Sequence, residues 1–253
     1  SGYGILNATQ IKVKRVDISI DGINQPFKAA HLTDTHLGHF RGAKNLQKIV
    51  EMINQQNVDV VFFTGDLFDG LIQLKPGTID PLKELDAPVY FVEGNHDVYT
   101  GTQTIKQQLR QLNVQVLENQ VTTWRGIQIV GLDHMLADEN TISPHASPDR
   151  PTIQNTLASM EINKSKPTIL LHHGPDGIKY ASQAGVDLYL AGHTHAGQLW
   201  PATHVAKMMF DYNKGLHTFE NTQIYVSQGT GTFGPPMRIG TESELTILNI
   251  KPE

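Results

Sequence analysis

Five short segments of the sequence follow an apolar run with side chains that can bind a metal ion. The segments are Asp34-Thr35-His36, Gly65-Asp66, Gly94-Asn95-His96-Asp97, His172-His173-Gly174 and Gly192-His193-Thr194-His195. Together they offer carboxylate oxygens, an amide oxygen and imidazole nitrogens, a mixture that suits divalent Mn, Fe or Zn with open coordination positions. Cysteine is absent from the sequence, which excludes thiolate zinc sites, disulfides and a cysteine nucleophile. The segments therefore predict an open metal centre rather than a closed structural one.

Each segment taken alone also has a structural explanation. Asp66 would cap the next segment after a Gly-Asp turn, and Asn95 would suit a left-handed turn. Asp34 and His36 would be a turn aspartate and a surface histidine, although on an extended backbone they point to the same side. A Gly-His-Thr-His segment is more specific, because two imidazoles that face the same way at a strand end have little structural use. The occurrence of all five segments in one chain favours metal binding.

The apolar runs predict the elements that position these side chains. Ligands at the carboxyl ends of strands are typical of α/β folds. Helices are predicted over residues 43–55, with Leu46, Ile49, Val50 and Ile53 on one face, and over residues 102–112. Residues 136–150 are predicted to form a surface loop, either one that contacts substrate or a passive excursion. Strands are predicted over residues 11–20, 27–32, 60–64, 89–92, 127–131, 168–172, 188–191, 224–227 and 245–250.

The second half of the chain has more strand signals than helix signals, which predicts two sheets rather than one doubly wound sheet. The expected fold is α/β, with two packed mixed β-sheets flanked by helices in an α/β/β/α sandwich. We expect a single domain over residues 1–253, with a catalytic core at about residues 27–250. The formal net charge of −5 gives no general attraction to nucleic acid, so no nucleic-acid partner is expected.

The five segments in this order resemble the calcineurin-like metallophosphoesterase superfamily. Its pattern is Asp-x-His, Gly-Asp, Gly-Asn-His-Asp/Glu, a later His, and Gly-His-x-His, and the resemblance extends over about residues 27–250. The segment from Ala191 to Gln198, followed by Pro201, and the tail over residues 229–246 are similar to the YkuE/YaeI-like bacterial branch. Ala196 stands where that branch usually has glycine.

The resemblance implies a dinuclear metal centre and a role for each ligand. Asp34, His36 and His195 would hold one ion, and Asp66 would bridge to the second. Asn95, His173 and His193 would complete the second site. His173 fits the ligand position better than His172, because Pro175 follows it two residues later, as in the His-x-Pro pattern of the family.

The remaining roles concern the substrate. His96 would assist the leaving group, with Asp97 either orienting it or making only a turn hydrogen bond. His39 and Arg238 are candidates for contacts with substrate phosphate, and ordinary surface placement is the alternative. The predicted reaction is hydrolysis of a phosphodiester or phosphomonoester by a hydroxide held between two divalent ions.

Two alternative functions share the same fold. A catalytically inactive scaffold is one, although such a protein usually loses ligands, and every ligand position here is filled. A nuclease on the same core is the other, and the acidic charge counts against it.

Localisation follows only from the resemblance. No apolar run reaches the roughly 18 residues that a membrane-spanning helix needs. The chain begins Ser1-Gly2-Tyr3-Gly4, which is neither a signal peptide nor a methionine start. Because proteins of the resembling branch often carry an N-terminal anchor or export signal, we expect a membrane-anchored or exported protein whose first segment is missing here, or otherwise a cytoplasmic one. An anchored enzyme would act on a lipid-like or cell-envelope phosphate ester.

Overall fold

The computed structural model describes residues 2–70, 75–141 and 151–253. These residues contain twelve strands: β1 (Ile11–Ile20), β2 (Phe27–Leu32), β3 (Val60–Thr64), β4 (Val89–Val92), β5 (Gln115–Val116), β6 (Gln120–Trp124), β7 (Ile127–Gly131), β8 (Thr168–Leu171), β9 (Leu188–Ala191), β10 (Gly215–Phe219), β11 (Thr222–Val226) and β12 (Ser243–Pro252). The α-helices are α1 (Gly2–Thr9), α2 (Ala43–Asn54), α3 (Asn95–Gln111), α4 (Ile153–Ser159), α5 (Ile178–Ala184) and α6 (Ala202–Met209). Short 3₁₀ helices span Asp80–Glu84 and His195–Gly197.

The strands form two six-stranded mixed sheets. The order is β1-β12-β2-β3-β4-β5 in the first sheet and β10-β11-β9-β8-β7-β6 in the second. In the first sheet β12 pairs in parallel with β1 and antiparallel with β2, and β2 to β5 are parallel. In the second sheet β11, β9, β8 and β7 are parallel, and the edge strands β10 and β6 are antiparallel to their neighbours.

Alternating side chains of each sheet pack into separate apolar layers. Phe62 of β3 lies in the layer between the two sheets together with Leu190 of β9. Phe63 points to the opposite face and packs with the apolar stripe of α2. On the outer face of the second sheet, Leu170 packs with Ile153 of α4 and Ala181 of α5. The order of layers is helix, sheet, sheet, helix, which confirms the fold class predicted from the sequence.

Most predicted elements lie within one or two residues of the observed ones. The strand predicted over residues 168–172 ends at Leu171. Helix α3 begins at Asn95 and is interrupted by a kink at Gly101 (φ +106°), and its part after the kink is the helix predicted over residues 102–112. Strands β5, β6 and β10 and helices α1, α4, α5 and α6 were not predicted. Of the loop predicted over residues 136–150, residues 142–150 lie outside the described part of the chain. Across the described ranges, we find no helix with the length and apolar character to span a bilayer.

Candidate metal centre

The candidate ligands follow the carboxyl ends of parallel strands in both sheets. Strands β2, β3 and β4 lead to Asp34, Asp66 and Asn95, and β8 and β9 lead to His173 and the His193-Thr194-His195 segment. All of these strands end at the same edge of the sandwich, so side chains far apart in sequence converge there.

The backbone at five of the seven candidate ligands is left-handed rather than extended. The φ angles are +53° at Asp34, +46° at His36, +52° at Asp66, +70° at His193 and +46° at His195. Residues other than glycine rarely adopt this conformation, and a concentration of it at one place is typical of functional sites. The expectation that an extended backbone presents Asp34 and His36 together was therefore wrong, because a tight left-handed turn after β2 does so instead.

The first group of ligand atoms contains Asp34, His36 and His195. The Nε2 atoms of His36 and His195 lie 2.9 Å apart. The Oδ1 atom of Asp34 lies 3.4 Å from Nε2 of His195 and 3.8 Å from Nε2 of His36. All three side chains are buried.

The second group contains Asp66, His173 and His193. Oδ2 of Asp66 lies 3.1 Å from Nε2 of His173, which lies 3.2 Å from Nδ1 of His193. The same Asp66 oxygen is 3.7 Å from Nε2 of His36, and Asp66 also groups with His36 and His96. Asp66 thus stands between the two groups.

The donor atoms fit divalent ions. Ligands at about 2.1 Å from an ion are separated from one another by roughly 3.0–3.4 Å in octahedral or tetrahedral geometry, close to the observed spacings. Oδ1 of Asn95 is buried and has no hydrogen-bond partner among the described residues, as expected for an oxygen reserved for a metal. Nδ1 of His173 lies 2.7 Å from the carbonyl oxygen of Thr64, to which it must donate, so its Nε2 is left as the electron-pair donor.

Without a metal, the buried carboxylates and imidazoles shift one another's pKa values. Burial would raise the pKa of Asp34, but the imidazoles of His195 and His36 hold it well below its usual value. Burial also disfavours the charged form of His173, yet the adjacent Asp66 carboxylate raises its pKa to about 10. Without a metal, a proton on His173 supplies the cation that the carboxylates require, and this proton must leave when an ion binds.

Two glycines let the ligand segments pack against each other. A Cβ atom at Gly94 would lie 2.1 Å from Oδ1 of Asp66, and one at Gly192 would lie 2.2 Å from Oδ2 of Asp34. The backbone amide of His96 donates to Oδ1 of Asp66 at 2.9 Å, directly beside this contact. Each metal-facing carboxylate is therefore fixed by the backbone of a neighbouring ligand segment.

The structure assigns Asp97 to the backbone rather than to His96. Its two carboxylate oxygens accept hydrogen bonds from the amides of Phe68 (3.1 Å) and Gly94 (2.9 Å). Nδ1 of His96 instead donates to the backbone carbonyl oxygen of Asp69 at 2.8 Å. The interpretation of Asp97 as the residue that orients His96 was wrong, and the turn hydrogen bonds considered as the alternative are what it makes.

Neither candidate phosphate contact faces the metal groups. His39 is exposed on the loop after β2 and does not line the cleft above the metal groups. Arg238 is fully buried, and its guanidinium donates to the carbonyl oxygens of Gln228 (2.5 Å) and Gly231 (2.8 Å). Its Nη2 atom also lies 3.0 Å from Nδ1 of His195. Arg238 therefore contacts the candidate ligand His195 from the protein interior. Because its N–H groups donate to backbone carbonyl oxygens, they are not available to bind a substrate phosphate.

The metal groups form the floor of a cleft of about 410 Å³. His134 lines this cleft, with its ring centroid 5.9 Å from that of His173 and 6.1 Å from that of His193. Sequence reasoning missed His134, although it follows strand β7 as the predicted ligands follow their own strands. His172 is buried beside the cleft, where its Nδ1 contacts the hydroxyl group of Tyr189, and it belongs to neither ligand group.

Comparison with known proteins relates the chain to a family. Residues 27–197 match the calcineurin-like phosphoesterase family. An uncharacterized metallophosphoesterase of Helicobacter pylori is 35% identical over 247 residues, which cover 96% of this chain and 64% of that protein. A transmembrane protein with metallophosphoesterase domain from Danio rerio is 34% identical, over 98% of this chain and 60% of that protein. The chain thus spans less than two thirds of the length of both relatives.

Other relatives match more distantly. The uncharacterized metallophosphoesterase YkuE of Bacillus subtilis is 28% identical over 95% of this chain and 83% of its own length. Among solved structures, TT1561 of Thermus thermophilus superposes with a TM-score of 0.54 at 14% identity, covering 81% of this chain and 92% of that one. A dimetal phosphatase from Danio rerio superposes with a TM-score of 0.50 at 13% identity, covering 84% and 90%. These two structures share the fold.

Proposed function

This chain belongs to the calcineurin-like phosphoesterase family, and on that premise we propose that it hydrolyses a phosphodiester or phosphomonoester at a dinuclear divalent metal centre. The observation that carries the proposal is the presence of two adjacent ligand groups, linked through Asp66, at one cleft. A single structural ion would not require two groups, and a structural site would not open into a cleft.

We assign the ligands by their positions. Asp34, His36 and His195 would hold one ion and His173 and His193 the other, with Asp66 between them. The buried and unpartnered Oδ1 of Asn95 would complete the second site. When bound, two such ions polarise phosphoryl oxygens and ionise a water molecule near neutral pH, which supplies the nucleophile.

His96 is the residue best placed to protonate the leaving group. It lines the cleft, and its ring centroid is 4.9 Å from that of His36. Because the carbonyl oxygen of Asp69 can only accept, Nδ1 of His96 carries a proton. This contact directs Nε2 away from Asp69 and leaves it free to hold a second proton for the departing oxygen.

The name of one relative supports a proposal for where the protein acts. Because a similar protein from Danio rerio is named a transmembrane protein, we propose an anchored or exported enzyme that acts on a lipid-like or cell-envelope ester. The net charge of −5 does not favour nucleic acid as substrate.

Hydrolysis of aryl phosphates tests the proposal. The purified protein should release nitrophenol from bis-p-nitrophenyl or p-nitrophenyl phosphate with added Mn²⁺ and stop with chelator, and the preferred reporter separates diesterase from monoesterase. Asp66→Ala and His193→Ala should each reduce turnover by at least about a thousandfold, because each disrupts a ligand group. Glu220→Gln, on the outer turn between β10 and β11, is the control. Full activity in Asp66→Ala would exclude this site.

Metal content distinguishes an enzyme from an inactive scaffold of the same fold. Elemental analysis after Mn²⁺ loading and desalting should find two ions per chain in the unaltered protein and fewer in Asp66→Ala. A protein that retains no ion would be a scaffold instead.

A further inference from the structure

Large apolar side chains face solvent beside the mouth of the cleft. Helix α6 buries only Ala206 among its eight residues. Val205 is 55% exposed, Met208 88% and Met209 66%, and Trp200 just before the helix is 64% exposed. We call Trp200, Val205, Met208 and Met209 the α6 face. A group of neighbouring exposed apolar residues typically marks a surface that binds a protein, a membrane or a ligand.

The α6 face continues into the wall of the cleft. Met209 belongs to both, and the next residue, Phe210, lines the cleft as well. The half-exposed Phe233 also lines the cleft and is tied to the segment before α6, because Gln198 exchanges hydrogen bonds of 2.8 Å with both its carbonyl oxygen and its amide. A ligand whose phosphate sits on the metal groups therefore has apolar side chains around its outer part.

The charged side chain on α6 is cationic. Lys207 is exposed, and neither α6 nor the α6 face contains a carboxylate; the next acidic residue in the sequence is the exposed Asp211, after the helix. Tryptophan and methionine combined with lysine are suited to the boundary between headgroups and acyl chains, where apolar bodies sink and the ammonium group stays in water.

From this arrangement we propose that the α6 face docks on a phospholipid bilayer, and that the ester cleaved in the cleft carries an acyl or alkyl chain. The inference rests on the proposed function for the reaction itself. A rigid protein seated on Met209 and Phe233 would cover the cleft mouth, whereas a bilayer at the same place delivers its own phosphate esters into the cleft.

Vesicle sedimentation tests the docking without any turnover. The metal-loaded protein is spun with sucrose-filled vesicles of phosphatidylethanolamine and phosphatidylglycerol. The unaltered protein should pellet with them, and Val205→Gln with Met208→Gln should partition at least about tenfold less, because two apolar side chains are lost from the interface. Leu216→Gln, which removes an exposed apolar side chain from edge strand β10, should pellet as the unaltered protein does. Equal pelleting of the double variant, or no pelleting of the unaltered protein, would overturn the proposal.

Measurements of activity and of self-association complete the test. Val205 and Met208 do not line the cleft, so the double variant should hydrolyse a soluble aryl phosphate normally. It should cleave phosphatidic acid embedded in vesicles about tenfold more slowly. If the unaltered protein dimerises in sedimentation velocity and the double variant does not, the face binds a second copy and the bilayer proposal is wrong. Normal vesicle binding with no hydrolysis of any ester would instead count against the proposed function alone.

Discussion

At the scale of single residues, the imidazoles of the site are oriented by what their second nitrogen contacts. His173 donates from Nδ1 to the carbonyl oxygen of Thr64, and His96 donates from Nδ1 to that of Asp69. A backbone carbonyl oxygen cannot donate, so each contact fixes both the ring orientation and the protonated nitrogen. The two histidines can therefore serve as ligand and proton donor without rearranging.

The role of His96 predicts a dependence on the leaving group. His96→Gln should reduce kcat by about 10²–10⁴ for an alkyl phosphate ester, whose departing oxygen needs a proton, and much less for a p-nitrophenyl ester. Bound Mn²⁺, measured by elemental analysis, should stay at the level of the unaltered protein. Equal losses with both leaving groups, or loss of metal, would show that His96 acts as a ligand instead.

Arg238 predicts a stability effect rather than a substrate effect. Arg238→Met should lower the free energy of unfolding by about 3–5 kcal/mol, because the carbonyl oxygens of Gln228 and Gly231 lose a buried charged donor. Arg238→Lys should lose less, and urea denaturation of the metal-free proteins measures both. A variant of normal stability but weaker inhibition by inorganic phosphate would restore Arg238 as a phosphate contact.

At the scale of elements, strands that lead into ligands are the most predictable part of the fold. In β3 and β9 an almost wholly apolar run stops at a Gly, Asp or His segment, and β2 differs by Lys28 and His31, so the apolar pattern and the metal-binding residue types mark the same boundary. Edge strands β6 and β10 are half-exposed and carry mixed residues, so no apolar alternation marks them. The burial of Arg238 and the contact from His96 to Asp69 depend on loops brought together from distant segments, which local sequence patterns do not encode.

Two glycines at helix starts provide a matched test of close packing. Gly94 precedes α3 and Gly42 precedes α2, both with negative φ angles and extended backbones. Gly94→Ala should abolish metal retention and activity, because its Cβ atom would lie 2.5 Å from the backbone nitrogen of Asp66. Gly42→Ala has open space around the new atom and should behave normally in the same assays. Full metal content in Gly94→Ala would mean that the loop can shift without moving Asp66.

A histidine between the sheets predicts how stability depends on pH. His31 of β2 is fully buried, its Nε2 lies 2.8 Å from the hydroxyl of Thr64, and burial lowers its pKa to about 3. Below pH 6.5 the unfolded chain takes up a proton at this residue and the folded chain does not, so folding stability falls as the pH drops toward 3.

His31 should make the free energy of unfolding fall by about 1.4 kcal/mol for each pH unit between pH 6 and pH 4. His31→Gln should remove this contribution to the pH dependence of the free energy of unfolding, even if the variant is less stable at pH 7. Urea unfolding midpoints over that range measure the difference, and parallel slopes for the two proteins would contradict the assignment.

At the scale of the whole molecule, the candidate metal ligands come from both sheets. Asp34 and Asp66 come from the first sheet, whereas His173, His193 and His195 come from the second. An ion held by both sets is absent from the unfolded chain and therefore stabilises the assembled sandwich.

Removing metal should lower the thermal stability of the entire chain. At a free Mn²⁺ concentration a hundred times its dissociation constant, one ion adds about 2.7 kcal/mol, which corresponds to roughly 5–10 °C in Tm for a chain of this size. Calorimetry with Mn²⁺ and with chelator measures the shift. The Tm of Asp66→Ala should change little when Mn²⁺ is added. An increase in Tm as large as that of the unaltered protein would show that the stabilising ion binds elsewhere.

The position of β12 determines when the first sheet can be completed during synthesis of the chain. This strand follows every candidate ligand in the chain, yet it lies between β1 and β2 in the first sheet. About 220 residues separate Leu32 from Pro252, so a ribosome needs roughly 10–45 s to deliver the partner of β2. Throughout that interval one edge of β2 lacks its partner strand, so we expect the nascent chain to need chaperones and to load metal only after β12 has been made.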